Sequence, residues 1–178
     1  MFIKMIGSLL LFLGSSAYGC YLEEQLKKKW YLLMEYERLL YFLTTEIESK
    51  RGCLKDAFCV SSSKTKGLSF QFGKNMEEKL EKDNQKEGKG IEEIWKEEWD
   101  NLLKGESVNL TDREKECIYN GGKYLSANSM ETQLKNLWML RKEVQDCSKE
   151  AKEYSIKNGR LYRYFGIMTG LLLVVLLL

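Results

Sequence analysis

The chain has 178 residues, a formal charge of +2 from 28 Lys and Arg against 26 Asp and Glu, 44% apolar content, and neither histidine nor proline. Without imidazole there is no general base for a Ser or Cys nucleophile and no imidazole ligand for zinc, copper or iron, so most hydrolase and metalloenzyme readings fall. Nearly balanced charge argues against a nucleic-acid binder, which carries its basic excess on one face. The lack of proline makes long uninterrupted helices the default.

In chain order, the first element is an uncharged stretch from Met5 to Leu22, MIGSLLLFLGSSAYGCYL. As a helix it would be ~27 Å long, close to the ~30 Å hydrocarbon core of a bilayer, and it can span if Lys4 snorkels outward. A cleaved signal peptide competes, with Lys4 as its basic region and small residues near Ala17 and Gly19 as the cleavage site. A lipoprotein signal ending at Cys20 fits less well, because Tyr18 and Ala17 stand where that pattern wants other residues.

From there the spacing of Leu22, Leu26, Leu33, Tyr36, Leu40, Leu43 and Ile47 predicts an amphipathic helix over 22–49, continuous with the first span. Gly52 punctuates, Leu54 to Val60 reads as a short helix, and 61–67 as a Ser/Lys/Gly loop. A third helix is expected over 69–82. The loop after it, DNQKEGKG, echoes a calcium loop at Asp83, Gln85, Glu87 and Gly88, but Ile94 stands where the bidentate carboxylate belongs. Gly67 to Lys74 likewise falls short of a phosphate loop, with five residues between its glycines and Asn75 in place of the magnesium-binding hydroxyl. Neither metal nor nucleotide cofactor is expected.

Residues 91–103 place Ile91, Ile94 or Trp95, Trp99 and Leu102 near one face of an otherwise acidic helix, so the tryptophans are either core or a docking anchor. Thr111 with Glu114 forms a T-x-x-E capping box opening a helix through Cys117, Ile118 and Tyr119 that is expected to break or bend at Gly121 and Gly122. The last helix begins at Met130, and its stripe is read as Leu134, Leu137, Val144, Cys147, Ala151, Tyr154 and Leu161, leading into YFGIMTGLLLVVLLL at 164–178. Eight consecutive aliphatics there mark a membrane segment, with a cleaved lipid-anchor tail as the alternative.

These elements give an all-α protein: an N-terminal span over 1–24, a helical bundle domain over 25–160 and a C-terminal span over 161–178. Lys27, Lys28 and Lys29 follow the first span and Lys157, Arg160 and Arg163 precede the second, so the positive-inside rule puts the intervening domain in the cytoplasm. The five cysteines, Cys20, Cys53, Cys59, Cys117 and Cys147, form an odd set with no C-x-x-C pair, which reads as reduced thiols and agrees with that side. Ser15 with Gly19, and Gly166 with Gly170, are small residues four apart that let helix backbones approach, either between the two spans or between neighbouring subunits of a homo-oligomer.

The wording of the chain resembles the stage III sporulation protein AB family of endospore-forming bacteria. The resemblance is carried by IKMIG at 3–7, EIES at 46–49, Leu54, Trp95, GKYL at 122–125 with Gln133 eight residues after Leu125, and NGRLYRYFG, which holds Arg160, Leu161, Arg163 and Gly166. The chain departs from the family at Cys53, where Pro is usual, at Ser126, where Gly is favoured, and at Ser129, where Asp is.

The resemblance implies a helical domain similar to the cytoplasmic domain of the type II secretion F protein. It further implies a non-enzymatic platform or adaptor in the stage III A channel complex of the outer forespore (mother-cell) membrane, needed for forespore development after engulfment. The implied partners are the other stage III A operon proteins, especially the AA ATPase, with no nucleic acid and no small-molecule substrate; Glu92, Glu93, Glu97 and Glu98 are then candidate contacts. The alternative is a secreted or lipid-anchored scaffold facing the intermembrane space.

Overall fold

The computed structural model describes residues 2–50, 53–83, 90–106, 108–127 and 129–177. Six helices follow in order: α1 (Phe2–Lys50), α2 (Leu54–Ser63), α3 (Gly67–Asp83), α4 (Ile91–Lys104), α5 (Asp112–Leu125) and α6 (Met130–Leu177), with no strand among the described residues. The protein is all-α. Gly52 and the calcium-loop residues Gln85, Glu87 and Gly88 lie outside the described residues, as does the side chain of Asp83.

The chain divides into two compact units, one of Met1–Trp30 with Glu150–Leu178 and one of Tyr31–Lys149. The second unit has a conventional hydrophobic core. Along α1 the predicted stripe from Leu33 through Tyr36, Leu40 and Leu43 to Ile47 is buried, joined by Leu32 and Leu39. At its centre five rings meet: Tyr36, Phe58, Phe72, Trp95 and Trp99, all fully buried. Phe72 stacks on Trp99 at 4.5 Å and 18°, and meets Trp95 edge-on at 4.6 Å and 72°. Such pairs contribute roughly 0.5–1.5 kcal/mol each beyond their area burial. Both tryptophans are therefore core residues.

The polar ends of these rings find partners in α5. The Trp95 indole N–H donates to the Ile118 carbonyl at 2.8 Å, and the Tyr36 hydroxyl donates to the same oxygen at 3.0 Å. Two donors from different helices thus fix α5 against α1 and α4. Gly121 and Gly122 do not break this helix, contrary to the expectation from sequence; α5 runs through both to Leu125. Their role is closeness, since a Cβ on Gly122 would lie 2.7 Å from Trp95 Cβ and one on Gly121 would overlap the Trp95 ring.

Local chemistry explains the helix ends. The capping box forms as spelled, with Glu114 N–H donating to Thr111 Oγ1 at 3.3 Å and Thr111 N–H to the Glu114 carboxylate at 2.7 Å. At the other end of α5, the Gln133 side-chain amide donates to the carbonyls of Leu125 (2.9 Å) and Ala127 (2.8 Å), oxygens that a helix terminus would leave unpaired. Ser129, standing before Met130, accepts from Thr132 N–H at 3.4 Å and so opens α6 as an aspartate would. Ser126 has φ −82°, which needs no glycine. Gly67 does sit at φ +60°, where the chain enters α3.

A second correction concerns 61–67. α2 continues to Ser63, and Ser61 and Ser62 are buried rather than looped out. Their hydroxyls bond back to the carbonyls of Ala57 and Cys59, which removes the cost of burying them, and a Cβ on Gly73 of α3 would lie 2.6 Å from Ser62 Cβ. Small residues here let α2 and α3 pack closely.

Candidate functional site

The first unit is built on a different principle. Its two segments, the beginning of α1 and the end of α6, touch along small residues. A Cβ on Gly166 would lie 2.7 Å from the Ser15 carbonyl oxygen and 3.0 Å from Gly19 Cα; one on Gly19 would lie 2.8 Å from the Tyr162 carbonyl oxygen. Gly170 faces Ser15 and Phe12, and Gly159 faces Glu23. Ser15 Oγ donates to the Gly166 carbonyl at 2.9 Å, tying the helices across the seam. Ser15, Gly19, Gly166 and Gly170 therefore meet at one crossing within the chain. At the end of the seam Glu23 accepts from Lys27 at 2.7 Å and lies 3.8 Å from Arg163.

The stripe read for α6 changes character here. Tyr154 and Leu161 are about half exposed, contrary to the expected stripe, and the buried series is instead Ala151, Ser155 and Gly159. The reason is that close backbone approach selects small side chains and turns large ones outward. Large apolar side chains accordingly face away from the partner helix: Leu9, Leu10 and Leu13 on α1, and Phe165, Met168, Leu172 and Val175 on α6. Val175 is 69% exposed, an arrangement water does not favour and lipid does. Among the described residues one helix, over Met130–Leu176, is long and apolar enough to cross a membrane.

Of the basic residues expected to set topology, Lys27, Lys28, Lys157, Arg160 and Arg163 are exposed and Lys29 is half-buried. Lys27 and Lys28 pair within α1 to Glu23 and Glu24, at 2.7 and 3.4 Å. Lys157 and Arg160 are exposed on α6 and make no ion pair among the described residues. The acidic face of α4 is less uniform than the sequence indicates. Glu98 is buried, accepting from Asn75 at 2.8 Å and pairing with Lys79 at 2.5 Å, so it is a structural residue and not an available contact. Glu92 and Glu93 remain exposed.

One surface of the second unit is absent from the sequence reading. Arg141 lies over the rings of Tyr41 (4.5 Å) and Trp138 (5.1 Å) and donates to Glu37 at 3.3 Å. Tyr41 and Trp138 are both 39% exposed. The signal was present: Trp138 directly follows the buried Leu137, off the stripe, where a solvated helix usually carries a polar residue. Of the thiols, Cys53 and Cys20 are exposed and Cys117 and Cys147 buried. Burial, reinforced by the neighbouring Cys147, pushes the Cys117 thiol up to about 12. Among the described residues no group of acids and thiols is arranged to hold a metal ion.

The positions that carry the family resemblance thus resolve into two structural clusters. Trp95 lies on Gly122, and Gln133 closes the helix that ends at Leu125. Arg163 pairs toward Glu23, and Gly166 meets Gly19, while Arg160 and Leu161 face outward. Together they define an all-helical protein with a small-residue hairpin made from its two ends. A family model for stage III sporulation protein AB matches residues 4–178. The chain belongs to that family and is a stage III sporulation protein. Comparison with curated proteins and with solved structures returns no match.

Proposed function

We propose that the protein is a non-enzymatic platform or adaptor subunit of the stage III A channel complex in the outer forespore membrane, held there by two spans and docking the complex's ATPase from the cytoplasmic side. The observation that carries this reading is the seam between Gly19 and Gly166: it pairs an apolar N-terminal segment with an apolar C-terminal one and leaves their large side chains facing outward. Continuous helices α1 and α6 lead from these segments into a unit whose apolar residues are inside. The Trp138–Arg141–Tyr41 surface is the contact we assign to the ATPase, since Trp, Tyr and Arg are the residues that dominate protein interfaces.

Topology is tested in intact sporulating cells with a membrane-impermeant maleimide. The probe is the exposed Cys53, retained alone after Cys20, Cys59, Cys117 and Cys147 are replaced by alanine. Labelling only after lysis is expected. Labelling before engulfment without lysis would reverse the orientation and favour a scaffold in the intermembrane space, as would loss of residues 1–20 from the mature chain by intact mass. Docking is tested by Trp138→Ala, which is expected to abolish co-purification of the ATPase and leave membrane association unchanged.

A further inference from the structure

We propose that the basic end of the two-helix hairpin is a binding site for the phosphate groups of anionic phospholipids, formed by Lys28, Lys29, Lys157 and Arg160. The inference rests on the membrane-spanning reading above and adds a ligand class to it.

The argument begins with the pairing register. Gly170 lies against Ser15 and Phe12, Gly166 against Ser15 and Gly19, and Gly159 against Glu23. Tyr18 and Tyr21 flank Gly19, and Tyr164 and Phe165 precede Gly166, so the exposed aromatic side chains of both helices fall in one layer. Lys27 is one helical turn past Glu23, and Lys157 is two residues past Gly159 in the same direction, so the two basic clusters fall within about one turn, ~5 Å, of each other along the hairpin. The sequence puts these clusters about 130 residues apart; the seam brings them level.

The order of layers is that of a membrane boundary. Exposed aliphatic side chains (Leu9, Leu10, Leu13, Met168, Leu172) come first, then Tyr18, Tyr21, Tyr164 and Phe165, then the cations, among which Leu161 and Ile156 are also exposed. Tyr21 to Lys28 and Tyr164 to Lys157 are each seven residues, ~10 Å of helix, against a headgroup region of roughly 5–8 Å per leaflet. Cationic side chains with stems long enough to lean back therefore reach the phosphate level.

Charge points the same way. Residues 22–30 and 150–164 hold seven Lys and Arg, at 27, 28, 29, 152, 157, 160 and 163, against four Glu, at 23, 24, 150 and 153, a surplus of three. Glu23 is engaged by Lys27, approached by Arg163 and within the field of Arg160, and Lys28 pairs with Glu24 at 3.4 Å, whereas the exposed Lys157 makes no ion pair among the described residues. Lys152 covers the Trp30 ring at 5.3 Å, placing one more aromatic and cation pair at this level. Such a surplus next to an apolar hairpin matches a surface carrying anionic lipids, where each Lys or Arg contributes roughly fivefold in affinity.

The test uses the full chain in mild detergent with phosphatidylglycerol and phosphatidylcholine, read by native mass spectrometry of retained lipid. Phosphatidylglycerol is expected to be retained at least about 20-fold over phosphatidylcholine, and K157Q/R160Q to cut that preference by roughly 20-fold. Lys142→Gln, on the surface of the other unit, should leave it unchanged, and the charge-keeping K157R/R160K should restore it. Equal retention of the two lipids, or an undiminished preference in K157Q/R160Q with its tryptophan fluorescence intact, overturns the proposal. Displacement of phosphatidylglycerol by millimolar inorganic phosphate also overturns it, because the site would then take free phosphate. Alkaline extraction of cell membranes separates the two readings. A chain that stays in the membrane without lipid preference loses only this inference; one that is stripped off loses the membrane spans as well.

Discussion

The two units of this protein solve helix packing in opposite ways. In Tyr31–Lys149 the large side chains point inward, five rings fill the centre, and hydroxyls and an indole donate to backbone carbonyls. In the unit made from the chain's ends the small side chains point inward, backbones touch, and the large side chains point outward. With the hairpin in a membrane, as proposed above, the difference follows from solvent. Water drives burial of apolar area at roughly 25 cal/mol per Å², so a domain in water hides its rings. Lipid offers no such force between helices, and close backbone approach with an occasional interhelical hydrogen bond is what remains.

Removing a ring should separate the units most strongly. Trp95→Ala deletes the contacts to Phe72, Phe58 and Tyr36, the hydrogen bond to Ile118, and the filling over Gly121 and Gly122. A loss of about 3–5 kcal/mol is expected in chemical denaturation followed by tryptophan emission. Spin labels at Tyr18→Cys and Phe165→Cys, in a background lacking the other accessible thiols, should keep their distance distribution in this variant. A change in that distribution would mean that the hairpin depends on the aromatic core.

Gly166→Leu makes the reciprocal cut. Its side chain would enter the space of the Ser15 carbonyl and Gly19, with an expected cost of about 1–3 kcal/mol to the seam. The spin-label distances should broaden while the tryptophan-monitored midpoint holds. If both move together, the two units fold as one.

The smallest expected effect is on pH dependence and confined to the aromatic unit. Burial holds the Cys117 thiol neutral, raised from 9.0 to about 12, and raises Tyr36 in the same direction. A raised acid binds its proton more tightly in the folded state, so this contribution is whole below about pH 9 and is lost as the pH climbs toward 12. The denaturation midpoint should fall between about pH 8 and about pH 10.5, and Cys117→Ala should flatten the fall. An unchanged slope in that variant would assign the titration to the tyrosines.

Much of the fold was legible because its signals are local. A capping box reads directly from Thr111 and Glu114, and helix α1 from the spacing of Leu33, Tyr36, Leu40 and Leu43. Gly121 and Gly122 misled for a physical reason: glycine weakens a helix locally, but a tryptophan from another helix can require it, and tertiary packing overrides propensity. Tyr154 and Leu161 misled because a regular apolar spacing does not say whether a helix meets its neighbour through large side chains or through small ones. Gln133 was visible as a residue at a fixed distance from Leu125, but not as the donor that closes α5.

What the sequence determined by itself was composition and periodicity: all-helical structure, apolar ends, basic flanks, and a wording that matches its family, all properties of residues near one another in the chain. Only the tertiary structure decided that Ser15 and Gly19 meet Gly166, that Trp95 lies on Gly122, and that Lys28 and Lys157 share a level. Those pairings join residues far apart in sequence. Their register is set by the fit of one helix surface against another, which no local pattern encodes.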